Sequence, residues 1–182
     1  MAEDIVPLCV DLDGTLIAGD LSLIASRAFI WRNPANALLL GFWLLRGRAY
    51  LKARLSERLT PDWDALAYHR GVLEWLRSES ASGRRLILVS GSPRAYVGLL
   101  AERLGFFSDF AGSEGGVNLV GRRKRRWLLE SFGARGYDYV GNSRWDAPIF
   151  AKARRAYLVS ANPRVLAAAR KRASDVVQIP PA

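Results

Sequence analysis

The sequence predicts an α/β fold: a Rossmann-like parallel sheet with helices on both faces, plus a small helical cap inserted over one edge. Three observations carry that prediction. Short apolar runs of strand length end abruptly in polar or glycine-containing clusters. Helical patterns of about ten residues separate them. One stretch, residues 18–70, breaks the rhythm with helical character and no clear strand.

Residues 5–10 form the first run, which ends at Asp11. It is apolar and rich in β-formers, so it reads as a buried parallel strand that delivers polar side chains at its carboxyl edge. A second strand over residues 84–89 leads into Ser90-Gly91-Ser92-Pro93, which reads as a turn opening a helix. A third, 137–140, leads into Gly141-Asn142-Ser143, and a fourth covers 156–159. The spacing predicts helices over 72–81, 94–104, 124–132, 147–154 and 163–171. Residues 1–17 and 71–182 then build the core, and residues 18–70 the cap. In such folds ligands sit outside the carboxyl ends of the strands, and all three polar clusters fall there.

Within the cap, Ala37-Leu38-Leu39-Leu40-Gly41-Phe42-Trp43-Leu44-Leu45 is apolar all round. A helix with no polar face has to be buried or lie against lipid. Nine residues reach only about 14 Å, too short to cross a bilayer. Two readings fit: a cap packed on its own core, or a monotopic patch rimmed by Arg46, Arg48, Lys52, Arg54 and Arg58 on an anionic membrane surface.

The 182 residues hold 27 Lys+Arg against 17 Asp+Glu, a formal charge of +10. That balance favours polyanionic surfaces or anionic substrates without choosing among them. The six tryptophans are dispersed, with none of the aromatic and basic interleaving of single-strand binders, so nucleic acid is disfavoured. A single cysteine, Cys9, excludes an internal disulfide and suits a reduced, cytoplasmic setting. The start lacks a basic then apolar leader, and no run is long enough for a membrane span. Peripheral membrane attachment stays open. His69, the sole histidine, has no metal-ligand spacing around it and reads as structural.

Asp11-Leu12-Asp13-Gly14-Thr15 carries the strongest chemical signal. Two carboxylates at i and i+2 past a buried strand share one small site, and a divalent cation relieves their repulsion. An ionised Asp can attack phosphorus, and a second carboxyl can protonate the leaving oxygen. The Ser90-Gly91-Ser92-Pro93 segment offers hydroxyls and free N–H groups to an anion, and serves equally as a plain helix cap. Lys124 sits in the run Arg122-Arg123-Lys124-Arg125-Arg126, which by itself reads as a solvated face.

Taken in order, these segments resemble the four motifs of the haloacid dehalogenase superfamily, and specifically its phosphatases. The resemblance spans residues 5–150. It implies a Mg²⁺-dependent phosphomonoesterase working through an aspartyl-phosphate. Asp11 would be the nucleophile and Asp13 the general acid/base, with Mg²⁺ held by Asp11, the Asp13 carbonyl, Asn142 and Asp146. Ser90 and the Gly91 N–H would hold the transferring phosphoryl group, and Lys124 would screen it from the nucleophile's charge. Asn142 departs from the family, which usually has Asp there; its neutral oxygen predicts weaker metal binding.

A closer similarity is to the soluble phosphatase-like domain that precedes some UbiA-type prenyltransferases. It rests on Pro7 to Leu16, on Arg32-Asn33-Pro34 with the following apolar helix to Arg48, on Asn118-Leu119-Val120-Gly121, on Tyr139 to Ser143, and on Asp146-Ala147-Pro148. It implies a polyprenyl-linked sugar phosphate of the phosphoribose type as substrate and a UbiA-type membrane protein as partner. Two other functions compete: a phosphatase of a soluble phosphometabolite such as phosphoserine, and a non-catalytic module that docks a membrane prenyltransferase.

Overall fold

Along the central strands successive side chains face opposite sides, as the two-residue repeat requires. Leu8, Val10, Leu86 and Leu88 enter one apolar cluster, while Cys9, Ile87 and Val89 enter a second. The computed structural model describes residues 6–159, 162–173 and 175–179. Within them six parallel strands are ordered β3-β2-β1-β4-β5-β6. These are β1 (Leu8–Val10), β2 (Leu86–Pro93), β3 (Asp109–Ser113), β4 (Asp138–Gly141), β5 (Ala156–Val159) and β6 (Val176–Ile179). Helices α4 (Arg70–Ala81) and α5 (Arg94–Leu104) send Val72, Leu76, Val97 and Leu100 into the first cluster. Helices α6 (Arg122–Phe132), α7 (Ala147–Phe150) and α8 (Pro163–Arg170) send Leu128, Phe150 and Ala169 into the second. The sheet is thus covered on both faces, and strand order reverses between β1 and β4, where a ligand crevice opens.

The predicted strands are all present, the fourth with its limits unchanged and the other three with shifted ones. Residue 5 lies outside the described residues. The second strand begins at Leu86 and runs on through Ser90-Gly91-Ser92 to Pro93, so that segment is strand rather than a turn. Pairing with β3, ending at Pro93 with Ser113, holds it extended past a register shift. Pro93 precedes α5 without a side-chain cap, so neither serine caps that helix. The helix expected over 147–154 stops at Phe150, because the chain turns to donate the Arg154 N–H to the Tyr137 carbonyl (2.8 Å).

Three helices occupy the insertion: α1 (Leu21–Arg32), α2 (Asn36–Leu45) and α3 (Arg48–Ser56). Asp20 caps α1 by accepting from the Leu23 N–H at 3.0 Å. Gly47, at φ 106°, makes the reversal between α2 and α3 that a side chain would strain. Both stems of the insertion leave the core side by side, the Ala18 N–H donating to the Ala67 carbonyl at 2.7 Å. Phe29, Leu40, Trp43 and Leu55 join the cluster that holds Leu8 and Leu88, so cap and core share one apolar interior.

The apolar helix α2 divides its residues unequally. Leu40 and Trp43 are buried, Trp43 stacking on Phe29 at 5.6 Å between centroids. Leu38, Phe42, Leu44 and Leu45 are exposed, Leu38 by 80% and Leu45 by 88%. Trp31, 87% exposed, lies at the end of the preceding helix. A cap packed wholly on its own core would have covered these side chains. No helix among the described residues is long and apolar enough to cross a membrane.

At the opposite edge of the sheet, where β2 and β4 begin, charges are buried in matched pairs. Asp138 is fully buried and accepts from Arg84, from the Arg154 guanidinium (2.9 and 3.0 Å) and from the Arg155 N–H (2.9 Å). Arg84 also pairs with Glu79 at 2.7 Å.

Candidate active site

β1 ends by donating the Asp11 N–H to the Val140 carbonyl of β4 at 3.0 Å. The Asp11 side chain therefore stands at the point where strand order reverses. Beyond it the chain winds tightly, with the N–H groups of Thr15, Leu16 and Ile17 all donating to the Leu12 carbonyl. Gly14 sits at φ 73°, and a Cβ there would fall 2.0 Å from the Asn142 amide nitrogen. Only glycine lets the loops after β1 and β4 approach so closely.

A cavity of about 1120 Å³ opens at this edge, lined by Asp11, Asp13, Gly91, Lys124, Asn142 and Asp146 among others. The fold thus brings six of the seven sequence-predicted site residues to one cavity. The seventh, Ser90, is fully buried just beneath it. Its hydroxyl donates to Asp13 Oδ2 at 3.1 Å and accepts from the Ser92 N–H at 3.0 Å.

Lys124 Nζ donates to Asp11 Oδ1 at 2.7 Å, and the Leu12 N–H donates to the same oxygen at 2.8 Å. Asp11 Oδ2 accepts no hydrogen bond among the described residues. The lysine is 3% exposed while Arg122, Arg123 and Arg126 around it are exposed. Lys124 and Leu128, one turn apart, form the inward face of α6, and the arginines take the outward faces. Burial raises the Asp11 carboxyl to about 7 against the pull of Lys124. Burial also opposes the Lys124 charge, but the Asp11 and Asp146 carboxylates outweigh it and lift its pKa above the usual lysine value.

Asp13 is held differently. Its Oδ1 accepts from the Leu21 N–H at 2.7 Å, and its Oδ2 accepts from the Ser90 and Ser92 hydroxyls at 3.1 and 3.0 Å. Among the described residues it has no ion-pair partner, and burial pushes its carboxyl upward. With the side chain so engaged, the backbone carbonyl is what Asp13 has left to offer a metal.

Asp146 is fixed by the Ser143 N–H (3.0 Å), the Ser143 hydroxyl (2.7 Å) and the Tyr139 hydroxyl (3.1 Å). Tyr139 in turn accepts from Lys124 at 3.2 Å, linking α6 to the loop after β4. Sequence reasoning missed Tyr139, Ser92 and Ser143 as supporting residues. Ser92 and Ser143 lay inside the quoted motifs, whereas Tyr139 looked like any core residue of an apolar strand. Lys52, from cap helix α3, was also missed as a site residue; it donates to the Gly91 carbonyl at 2.6 Å.

Among the described residues, no three Asp, Glu, His or Cys side chains converge as a ready-made metal cluster. The donors present are two carboxylates (Asp11 and Asp146), the Asn142 amide and the Asp13 carbonyl. All are oxygens, and Mg²⁺ is commonly held by one or two carboxylates with water and substrate phosphate completing the shell. The set fits that ion.

A family model described as haloacid dehalogenase-like hydrolase matches residues 8–151. The chain belongs to the haloacid dehalogenase-like hydrolases. The matched span runs from the first residue of β1 through the Asn142–Asp146 loop, so it holds every site residue named above. Among curated proteins, the uncharacterized protein y4nM of Sinorhizobium fredii is 35% identical over 155 residues, covering 85% of this chain. The match takes up only 30% of that relative's length. Among solved structures, a protein of unknown function from Bordetella pertussis aligns with a TM-score of 0.66 at 18% identity, covering 94% of this chain and 97% of that one. A phospho-aspartyl intermediate analogue of phosphoserine phosphatase aligns with a TM-score of 0.61 at 16% identity, covering 96% and 94%. At these identities the structures establish a shared fold: the open parallel α/β sheet of haloacid dehalogenase-like hydrolases.

Proposed function

We propose that the protein is a Mg²⁺-dependent phosphomonoesterase that forms an aspartyl-phosphate on Asp11. The observation that carries this is the unequal treatment of two carboxyls two residues apart. Asp11 faces a fixed ammonium at 2.7 Å, which favours its ionised form. Burial raises both carboxyls, but Asp13 has only neutral donors and no ammonium bonded to it to oppose its protonated form, so it is the one suited to give up a proton. Asp11 Oδ2 attacks phosphorus, the bond from phosphorus to the leaving oxygen breaks, and Asp13 delivers its proton to that oxygen. Water then attacks the aspartyl-phosphate while Asp13 takes a proton back, releasing phosphate and restoring Asp11. Lys124 and the Gly91 N–H bind the phosphoryl oxygens and stabilise the charge that develops on them. A bound Mg²⁺ would add charge neutralisation and hold Asp11 ionised at neutral pH.

For the substrate we favour an amphiphilic phosphate at a membrane surface, with a polyprenyl-linked sugar phosphate of the phosphoribose type as the candidate. Support comes from the exposed Leu38, Phe42 and Leu45 of α2, from the arginines around them, and from Leu44, which belongs both to that helix and to the cavity wall. Apolar side chains beside basic ones match an anionic bilayer surface. The similarity to domains preceding UbiA-type prenyltransferases points the same way, and the Sinorhizobium relative extends far beyond its matched part.

The first test is hydrolysis of 4-nitrophenyl phosphate with and without Mg²⁺, comparing wild type with Asp11→Asn. Magnesium-dependent turnover that disappears in the variant is expected. Absence of turnover, repeated with a polyprenyl sugar phosphate in detergent, would instead favour the non-catalytic module, for which Asn142 is the supporting feature. For the membrane, flotation with phosphatidylglycerol vesicles should capture wild type and lose Leu38→Glu/Leu45→Glu. Equal behaviour of the two proteins would return the choice to a soluble phosphometabolite such as phosphoserine.

A further inference from the structure

We propose that the cap wall of the cavity is a second anion subsite, in which Arg48 and Lys52, joined by Arg122 and Arg144 from the core, take a second phosphate group of the substrate. This rests on the phosphatase reading and goes beyond it by specifying what the substrate carries besides its scissile phosphate.

All four cations line the cavity, and none has an ion-pair partner among the described residues. Elsewhere several arginines find acids even when exposed, as Arg54 does with Glu57 and Arg103 with Asp64. The acids of the cavity are already engaged. Asp11 is taken by Lys124, Asp13 by Ser90, Ser92 and the Leu21 N–H, Asp146 by Tyr139 and Ser143, and Asp20 by the cap of α1. The four cationic residues thus line the cavity with no carboxylate ion-paired to any of them among the described residues.

Two of them belong to cap helix α3 rather than to the core elements that carry Asp11 and Lys124. Arg48 and Lys52 are four residues apart on α3 and so share one helix face. Lys52 reaches the core and donates to the Gly91 carbonyl, at the rim of the loop expected to grip the transferring phosphoryl group. Burial lowers its pKa, as expected for an ammonium whose hydrogen-bond acceptor is a neutral carbonyl. The Arg144 guanidinium carbon lies over the Trp145 ring, 5.0 Å from its centroid. Three guanidinium forks and one ammonium present more N–H donors than the two oxygens of a carboxylate accept, whereas a phosphate group has more oxygens to offer. Leu23, Leu44 and Leu51 line the same cavity, so an apolar substituent beyond the second phosphate finds matching walls.

The test is calorimetric titration of Asp11→Asn protein, which cannot turn the ligand over, with ribose 5-phosphate and with ribose 1,5-bisphosphate. These differ only in the second phosphate. The bisphosphate is expected to bind at least about tenfold more tightly, the scale of one charge-assisted contact. Adding Arg48→Gln or Lys52→Gln should reduce that preference below about threefold. Arg48 is exposed, so loss of its charge leaves the fold standing. Equal affinity for the two sugars, no binding of either, or a preference untouched by both substitutions overturns the subsite. So does 3-phosphoglycerate binding as tightly as the bisphosphate, since a carboxylate would then suffice. Failure of the phosphatase reading shows separately, as absent aryl phosphate hydrolysis by the wild type.

Discussion

Replacing Lys124 by Met keeps much of the side chain's bulk and removes the charge that faces Asp11. The two groups are 2.7 Å apart and both buried. At an effective dielectric constant of about 20 their attraction is about 6 kcal/mol. Allowing half of that for relaxation leaves about 3 kcal/mol, or about two pKa units. Asp11 stands at about 7 with the lysine present, so the substitution carries it to about 9. At pH 7.5 the ionised share then falls from about three-quarters to about 3%, and the rate with it by about 25-fold. The assay is initial-rate hydrolysis of 4-nitrophenyl phosphate between about pH 5.5 and 10 at a fixed, sub-saturating Mg²⁺ concentration, because bound Mg²⁺ would itself hold Asp11 ionised. The acidic limb of the profile should move up by about two units, with activity partly recovered at high pH. Stability carries the same signature. A folded pKa above the ordinary value means that the unfolded chain releases a proton the folded protein keeps. The contribution of Asp11 to stability is therefore greatest below about pH 4 and is lost as pH rises to about 7; in the variant that loss continues to about 9. A Lys124→Met enzyme within threefold of wild type, with its acidic limb unmoved, would refute Lys124 as the counter-ion that keeps Asp11 reactive.

Asp13→Asn should cost about 10²–10⁴ in kcat with an alkyl phosphate and far less with 4-nitrophenyl phosphate, whose leaving group needs no proton. Comparing the two substrates on one variant checks this. Asn142→Asp supplies a third side-chain carboxylate without added bulk against Gly14, and should lower the Mg²⁺ concentration for half-maximal activity by about tenfold. A Mg²⁺ titration of the rate reads it directly. Asp138→Asn leaves buried Arg84 with only the partly exposed Glu79 as counter-charge, and should lower unfolding free energy by about 3 kcal/mol in urea titration.

Four of the six strands were legible because each is a fully buried run of apolar residues bounded by polar ones. The other two follow a different pattern. Asp109–Ser113 has three small residues and a half-exposed profile, and Val176–Ile179 is a short edge strand that is never fully buried. Both are held by pairing with a neighbour, which a linear reading does not contain. The same holds for Ser90 to Pro93, whose composition suggests a turn and whose partner β3 makes it strand. At the site, Asp11 and Asp13 announced themselves by spacing alone, since paired carboxylates after a strand have few other uses. Lys124 could be singled out from its basic run only through the motif order, and burial on α6 is what distinguishes it. Lys52 acts from an element far from Gly91 in sequence, and Tyr139, seven residues before Asp146, looks like any core residue of its strand, so neither stood out as a site residue.

The shared interior of cap and core bears on how this enzyme could be re-engineered. Phe29, Leu40, Trp43 and Leu55 fill the same space as Leu8, Val10 and Leu88. Removing residues 18–70 would uncover part of the apolar interior that α4 and α5 share rather than detach a module, so the chain should unfold in a single cooperative transition. The cap is therefore not a cassette to be exchanged between relatives. Leu44 and Arg48 of the cap line the cavity that holds Asp11, and changes of specificity are best sought by single substitutions there.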